Sequence, residues 1–279
     1  MLNILKGILF GIVEGVTEWL PISSTAHMKI LNKILPLSVS AEFYEMFEVV
    51  IQLGAIIALL IIFWNKVWPF GYSKNALVDH GPLRIIKKDK FFLWLKIAIA
   101  CIPVILYELL LEDIVTIVNA NNELTIIACS LIVIGVIFVV VEFALCHKLP
   151  DVYSTKDITF LSAAIIGLCQ LVAAIFPGVS RSGATIIAGL LMGICRQTAV
   201  EFTFELSIPV MFGASLMRVI KFTGEIKLLE VLTLLVGCAS AFVVSLFMIR
   251  FVLNYIKNHT FTLFGLYRII FGIIILLLI

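Results

Sequence analysis

Fourteen residues near the start of the chain, EGVTEWLPISSTAH from Glu14 to His27, hold two carboxylates, four hydroxyls and an imidazole. Glu14 and Glu18 are four apart, so a helix stacks them on one face, one turn above the other. Two carboxylates held side by side repel, and a proton or a hard divalent cation with oxygen ligands relieves that repulsion. Proline followed by Ser23, Ser24 and Thr25 is a helix start, where a hydroxyl caps free backbone N–H groups. His27 lies three residues past Ser24 and four past Ser23, within reach of either on a first helical turn. A hydroxyl beside an imidazole is the minimal arrangement for an activated nucleophile. A capping serine with a carbonyl-bonded histidine is the structural alternative, and spacing alone does not choose between them.

A second polar stretch, PGVSRSGAT from Pro177 to Thr185, supplies a fixed cation, Arg181, on a glycine-flanked turn opening a helix. Glycine lets backbone approach a ligand, a helix N-terminus favours an anion, and guanidinium forks onto phosphate oxygens. The alternative for Arg181 is an ion pair with Glu14 or Glu18. Carboxylates for a metal, a hydroxyl with a base and an arginine for the leaving charge are together the parts of phosphoryl transfer or hydrolysis.

The elements that must position these residues are membrane helices. The chain of 279 residues is 62% hydrophobic and 14% charged, with mean hydropathy +1.17, outside the usage of soluble domains. In such a setting each ionisable group near the bilayer centre costs about 2.5–3.5 kcal/mol. The set Glu14, Glu18, His27 and Arg181 is therefore expected to compensate internally around a ligand. The net charge of +2 and the lack of a basic aromatic stripe exclude a nucleic-acid partner. Six cysteines lie singly in apolar runs, without CxxC spacing, and read as core residues. Met1 to Phe10 carries no small-residue cleavage site, so a removable signal peptide is not expected.

Six stretches are long enough to span, about 42–63, 91–110, 124–146, 199–220, 228–250 and 262–279. Residues 3–35 and 158–196 are also apolar but broken by PISSTAH and PGVSRSGAT, and read as re-entrant helical hairpins. The loop 64–90 carries Lys66, Lys74, Arg84, Lys87, Lys88 and Lys90, while 111–123 carries neither Lys nor Arg, which puts the basic loop in the cytoplasm. Loop 147–157 is then inside, loop 221–227 and both termini outside; Lys221 and Lys227 run against this assignment. At an offset of 156 residues, Gly11 meets Gly167, Glu14 meets Gln170, Pro21 meets Pro177 and Ser24 meets Ser180; near 155, Phe47 meets Phe202. The expected fold is an all-α polytopic membrane protein, one domain over 1–279. Repeat one covers about 1–146 and repeat two about 157–279, each a hairpin plus three transmembrane helices. Three is odd, so the second copy enters upside down, and the two tips can meet at mid-bilayer.

The runs EGVTEWLPISSTAH, FEVVIQLGA, PGVSRSGAT and EFTFELSIP resemble the bacterial undecaprenyl-diphosphate phosphatase family, also called the bacitracin-resistance proteins, over nearly the whole chain. The resemblance implies a multi-pass enzyme of the cell inner (cytoplasmic) membrane, its site opening to the periplasmic or outer side. The implied reaction hydrolyses a polyprenyl diphosphate lipid to the monophosphate, recycling the carrier for peptidoglycan synthesis with a divalent cation, Mg2+ or Ca2+. Carried over by motif, Glu14 and Glu18 hold the metal. The family pattern leaves open whether Ser23, Ser24 or His27 is the nucleophile; the expectation is Ser24 as nucleophile with His27 as base, and Glu18 and Arg181 complete the catalytic set. Ser23, Thr25, Ser180, Ser182, Gly183 and Thr185 line the substrate. Glu205 departs from the family pattern, where an apolar residue is expected. A homodimer is left open. The rival from another class is a lipid-phosphate flippase or anion transporter of inverted-repeat fold, and a third is a scaffold with buried ion pairs.

Overall fold

Proline and glycine in apolar runs decide where the helices of this chain break. The computed structural model describes residues 2–71, 85–112, 115 and 122–279. Helix α1 (Leu2–Thr17) stops short of Pro21, and α2 (Ser24–Ile34) begins three residues beyond it. Next come α3 (Ala41–Val50) and α4 (Gln52–Val67), which turn at Ile51 and together make one long apolar segment, then α5 (Lys88–Leu110) and α6 (Glu123–Leu145). The pattern resumes with α7 (Phe160–Ile175), the turn at Pro177 and α8 (Arg181–Leu191), followed by α9 (Arg196–Lys221), α10 (Leu228–Tyr255) and α11 (Thr262–Leu278).

Among the described residues, five segments have the length and hydropathy to cross a bilayer: Ala41–Val67, Lys88–Leu110, Glu123–Leu145, Arg196–Lys221 and Leu228–Tyr255. The chain is therefore an all-α multi-pass membrane protein. The sixth expected span, α11, is shorter at 17 residues. At a rise of about 1.5 Å per residue it covers about 25 Å, just under the hydrocarbon thickness. Much of loops 64–90 and 111–123, including Lys74 and Arg84, lies outside the described residues.

Close helix contact substitutes for hydrophobic collapse in such a protein. Gly7, Gly11 and Gly15 form a stripe on α1, and a Cβ at Gly11 would come within 2.2 Å of the Gly237 carbonyl on α10. Helix α7 lies against α5 and α11 against α6, while α4 contacts both α9 and α10.

Polar contacts show which ends share a level. Lys66 pairs with Glu201 at 2.8 Å, Arg196 with Glu142, and the Trp94 indole N–H donates to the Val67 carbonyl at 2.8 Å, so the end of α4, the starts of α5 and α9, and the end of α6 lie together. At the other end Lys29 pairs with Glu123 at 3.0 Å and Arg218 with Glu112 at 2.6 Å. The α1–α2 hairpin opens at this second end, closed by Asn3 donating to the Ser38 carbonyl at 2.9 Å. The α7–α8 hairpin opens at the first, closed by Asp151 N–H donating to the Gly193 carbonyl at 2.8 Å. The two tips thus point at one another.

Candidate active site

The first tip is pinned by Trp19, fully buried and edge-on to Phe204 at 5.0 Å. Helical hydrogen bonding continues past α1, Glu18 N–H donating to the Glu14 carbonyl at 3.0 Å, so the two carboxylates stack as their spacing requires. Ser23 then takes φ 72° and caps α2, its hydroxyl accepting from Ala26 N–H at 3.4 Å. In the second tip Gly178 has φ 92°, and a Cβ there would meet the Ile127 carbonyl at 2.6 Å. Ser180 has φ 70° and caps α8 through Gly183 N–H at 3.3 Å. A left-handed serine costs about 1–3 kcal/mol and persists where surrounding structure enforces it. The matching caps are Ser23 and Ser180, one residue off the Ser24–Ser180 match read from sequence. The second tip has an extra residue between its proline and its cap.

Glu18 joins the tips. Ser24 Oγ donates to Glu18 Oε2 at 2.6 Å, and Arg181 Nη2 donates to Glu18 Oε1 at 2.6 Å. The ion-pair alternative for Arg181 is therefore realised, but with one nitrogen only: Nη1 is buried and has no partner among the described residues. These groups, with Ser23, Thr25 and Gln170, line a cavity of about 240 Å3. A second cavity, about 490 Å3, shares Ser24 and Thr25 and is walled by Glu14, Lys29 and Glu48. An apolar groove of about 400 Å3 between α5 and α9 shares Val104, Glu108, Val210 and Ala214 with the first. A serine hydroxyl on a carboxylate, beside a half-committed guanidinium and a helix N-terminus, can present a nucleophile to a phosphate.

The structure does not pair His27 with Ser24. His27 Nδ1 bonds the Ser23 carbonyl at 2.7 Å and so carries the proton, leaving Nε2 to accept from the Tyr267 hydroxyl at 2.6 Å. The ring stacks on Phe271 at 4.5 Å. The capping-serine and carbonyl-bonded-histidine alternative is the one realised, because a helical turn from Ser23 carries the ring back over its own carbonyl. Gly183 packs beneath Arg268, and Thr185 is turned into its helix, donating to the Arg181 carbonyl at 3.0 Å; neither lines the two cavities. Ser180 and Ser182 line the smaller cavity and bond each other at 3.1 Å. Glu205, 1% exposed, lines neither cavity.

Glu14 is buried on the wall of the larger cavity, within electrostatic reach of Glu18 and Arg181. Among the described residues no group of three or more His, Cys, Asp or Glu converges for a metal. Glu14 lines the larger cavity and Glu18 the smaller, and two carboxylates supply only part of the oxygen shell of a hard divalent cation, the rest of which water or a ligand's oxygens would complete.

The model of the family described as bacitracin resistance protein BacA matches residues 7–274. The chain belongs to that family. BacA-family relatives include proteins named undecaprenyl-diphosphatase from Desulfitobacterium hafniense, 46% identical over 99% of this chain and 96% of the relative, and from Enterococcus faecalis, 46% identical over 99% and 97%. One of the same name from Acetivibrio thermocellus is 43% identical over 99% and 98%.

Two residues of this BacA-family site escape a reading by motif. Arg268 on α11 is fully buried and donates to the carbonyls of Pro21 at 3.0 Å, Gly178 at 2.8 Å and Val179 at 2.9 Å, so one guanidinium ties both tips. Tyr267 beside it holds His27. The only sequence signal was an arginine in the otherwise apolar final helix, which in lipid marks an internal partner.

Proposed function

We propose that the chain hydrolyses the anhydride bond of undecaprenyl diphosphate, giving undecaprenyl phosphate and inorganic phosphate, and so returns the lipid carrier to peptidoglycan synthesis. The observation that carries this reading is the Glu18 carboxylate shared between the Ser24 hydroxyl and the Arg181 guanidinium on one cavity wall. The names of the relatives support the substrate.

The prenyl chain lies in the apolar groove between α5 and α9, and its head enters the cavity between the tips. Arg181 and the N–H groups opening α8 hold the terminal phosphate. Ser24 Oγ attacks the terminal phosphorus while its proton passes to Glu18 Oε2, already its hydrogen-bond acceptor. The bond to the bridging oxygen breaks, and undecaprenyl phosphate leaves. Glu18 passes the Ser24 proton to the departing phosphate oxygen; water then attacks the phosphoserine with Glu18 taking its proton, and Glu18 returns it to Ser24 Oγ as the ester bond breaks and inorganic phosphate departs. His27 holds the Ser23 carbonyl and with it the start of α2. When bound, a divalent cation, Mg2+ or Ca2+, neutralises diphosphate charge; Glu14, with Glu18 beside it, would hold it.

The oppositely opening hairpins support an inverted repeat. Helix α1 packs on α10 of the second half as α7 packs on α5 of the first, and the last helices of each half, α6 and α11, pack together. The α1–α2 hairpin opens outward in this reading, which Lys66, Lys87, Lys88 and Lys90 at the other end support, and the membrane is the inner one, which the names of the relatives support.

Phosphate release from undecaprenyl diphosphate by purified protein tests the reading. It is expected to fall to background with chelator, to return with Mg2+ or Ca2+, and to drop by about a hundredfold or more in Arg181→Ala. A carrier that moves the lipid without breaking a bond would release no phosphate, and full turnover by Arg181→Ala would exclude this site.

A further inference from the structure

Gln170 sits on α7, one turn after the glycine that packs on α5, and is 2% exposed. Both ends of its amide, Nε2 and Oε1, are buried without a hydrogen-bond partner among the described residues. Exchanging the amide nitrogen and oxygen would not help, since neither site meets a protein group. Buried amides in native proteins are satisfied, and one that is satisfied by no protein group marks a place where something else bonds. Here that place has a second witness: Gln170 lines the same cavity as Arg181, whose Nη1 is also a buried donor without a protein partner.

We propose that Gln170 is a phosphate-binding residue, its Nε2 donating to a phosphate oxygen beside Arg181 Nη1 and its Oε1 accepting from a P–OH. A phosphate carrying one proton presents both an acceptor and a donor and so satisfies both ends of the amide. The neutral amide suits this wall because it adds donors without the negative charge that a carboxylate would set against the phosphate. The terminal phosphate of a lipid diphosphate and free inorganic phosphate share this chemistry. The assignment rests on the hydrolase reading only in naming the lipid as one source.

The test uses Gln170→Met, close in volume, and Gln170→Glu, in purified full-length protein in detergent. Removing an orphaned amide should leave thermal stability unchanged or raise it, whereas a residue that held the fold would lose it. The expected result for Gln170→Met is an unfolding midpoint at or above wild type and kcat/KM for undecaprenyl diphosphate lower by about tenfold or more, chiefly through KM. Inorganic phosphate, which should raise the wild-type midpoint, should no longer do so. Gln170→Glu should be weaker again. Turnover of Gln170→Met within twofold of wild type with the phosphate-induced shift intact would overturn the proposal. So would a fall in midpoint of more than about 5 °C in both variants, the mark of a packing residue. If wild type releases no phosphate from the lipid, the hydrolase reading fails, and the phosphate-induced shift with its loss in Gln170→Met still decides Gln170.

Discussion

Ser23 and Ser24 are adjacent, yet the backbone assigns them different work. Ser23 is held at φ 72° as a cap, while Ser24 turns its hydroxyl onto Glu18. Glycine tolerates that φ and costs only a few tenths of a kcal/mol at a cap, whereas alanine keeps the strain and loses the cap, about 1 kcal/mol. Ser23→Gly is therefore expected to unfold within about 1 kcal/mol of wild type and to keep turnover within a few fold, with Ser23→Ala less stable. Ser24→Ala should lose more than about a thousandfold in kcat with unchanged stability. Thermal unfolding and phosphate release on the three variants check this, and an inactive Ser23→Gly beside an active Ser24→Ala would reverse the assignment. Glu18→Gln should lower kcat by about 10²–10⁴, since the amide accepts no proton. His27→Asn, which keeps a side-chain donor near the Ser23 carbonyl, should lose less than Glu18→Gln; equal losses would restore the imidazole as base.

At the scale of elements, what matters is that two broken hairpins meet at a fixed separation. Arg268 spans that separation with one planar fork to three carbonyls on two tips. A lysine keeps the charge but cannot reach three acceptors in fork geometry. Arg268→Lys should lower the unfolding midpoint and reduce phosphate release by about tenfold or more, because the Glu18–Arg181 contact depends on tip spacing. Turnover at wild-type level in a destabilised Arg268→Lys protein would separate the staple from the chemistry. The hairpins themselves were legible in the sequence, since proline and glycine inside an apolar run can be read locally. The one-residue difference between the tips was not: it depends on backbone angles at Ser23 and Ser180 that no side-chain pattern announces.

For the whole molecule, the ends grouped by ion pairs predict opposite accessibility across the membrane. In a background with the six native cysteines replaced, Ser38→Cys should react with a membrane-impermeant maleimide in intact cells. Asn258→Cys, between α10 and α11 near Glu142, should react only after permeabilisation. Equal labelling of both from outside would overturn the orientation. The sequence by itself determined the solvent this protein lives in, its long apolar segments, the breaks in the two hairpins and the stacking of Glu14 over Glu18. All of these follow from hydropathy, helical period and the backbone limits of proline and glycine, which act over a few residues. Only the tertiary structure decided that Ser24 faces Glu18 instead of His27, that Arg181 commits one nitrogen and keeps another, and that Arg268 and Gln170 belong to the site. Those outcomes are set by contacts between residues far apart in the chain, where helix packing at van der Waals distance fixes which polar groups find a protein partner and which are left for a ligand.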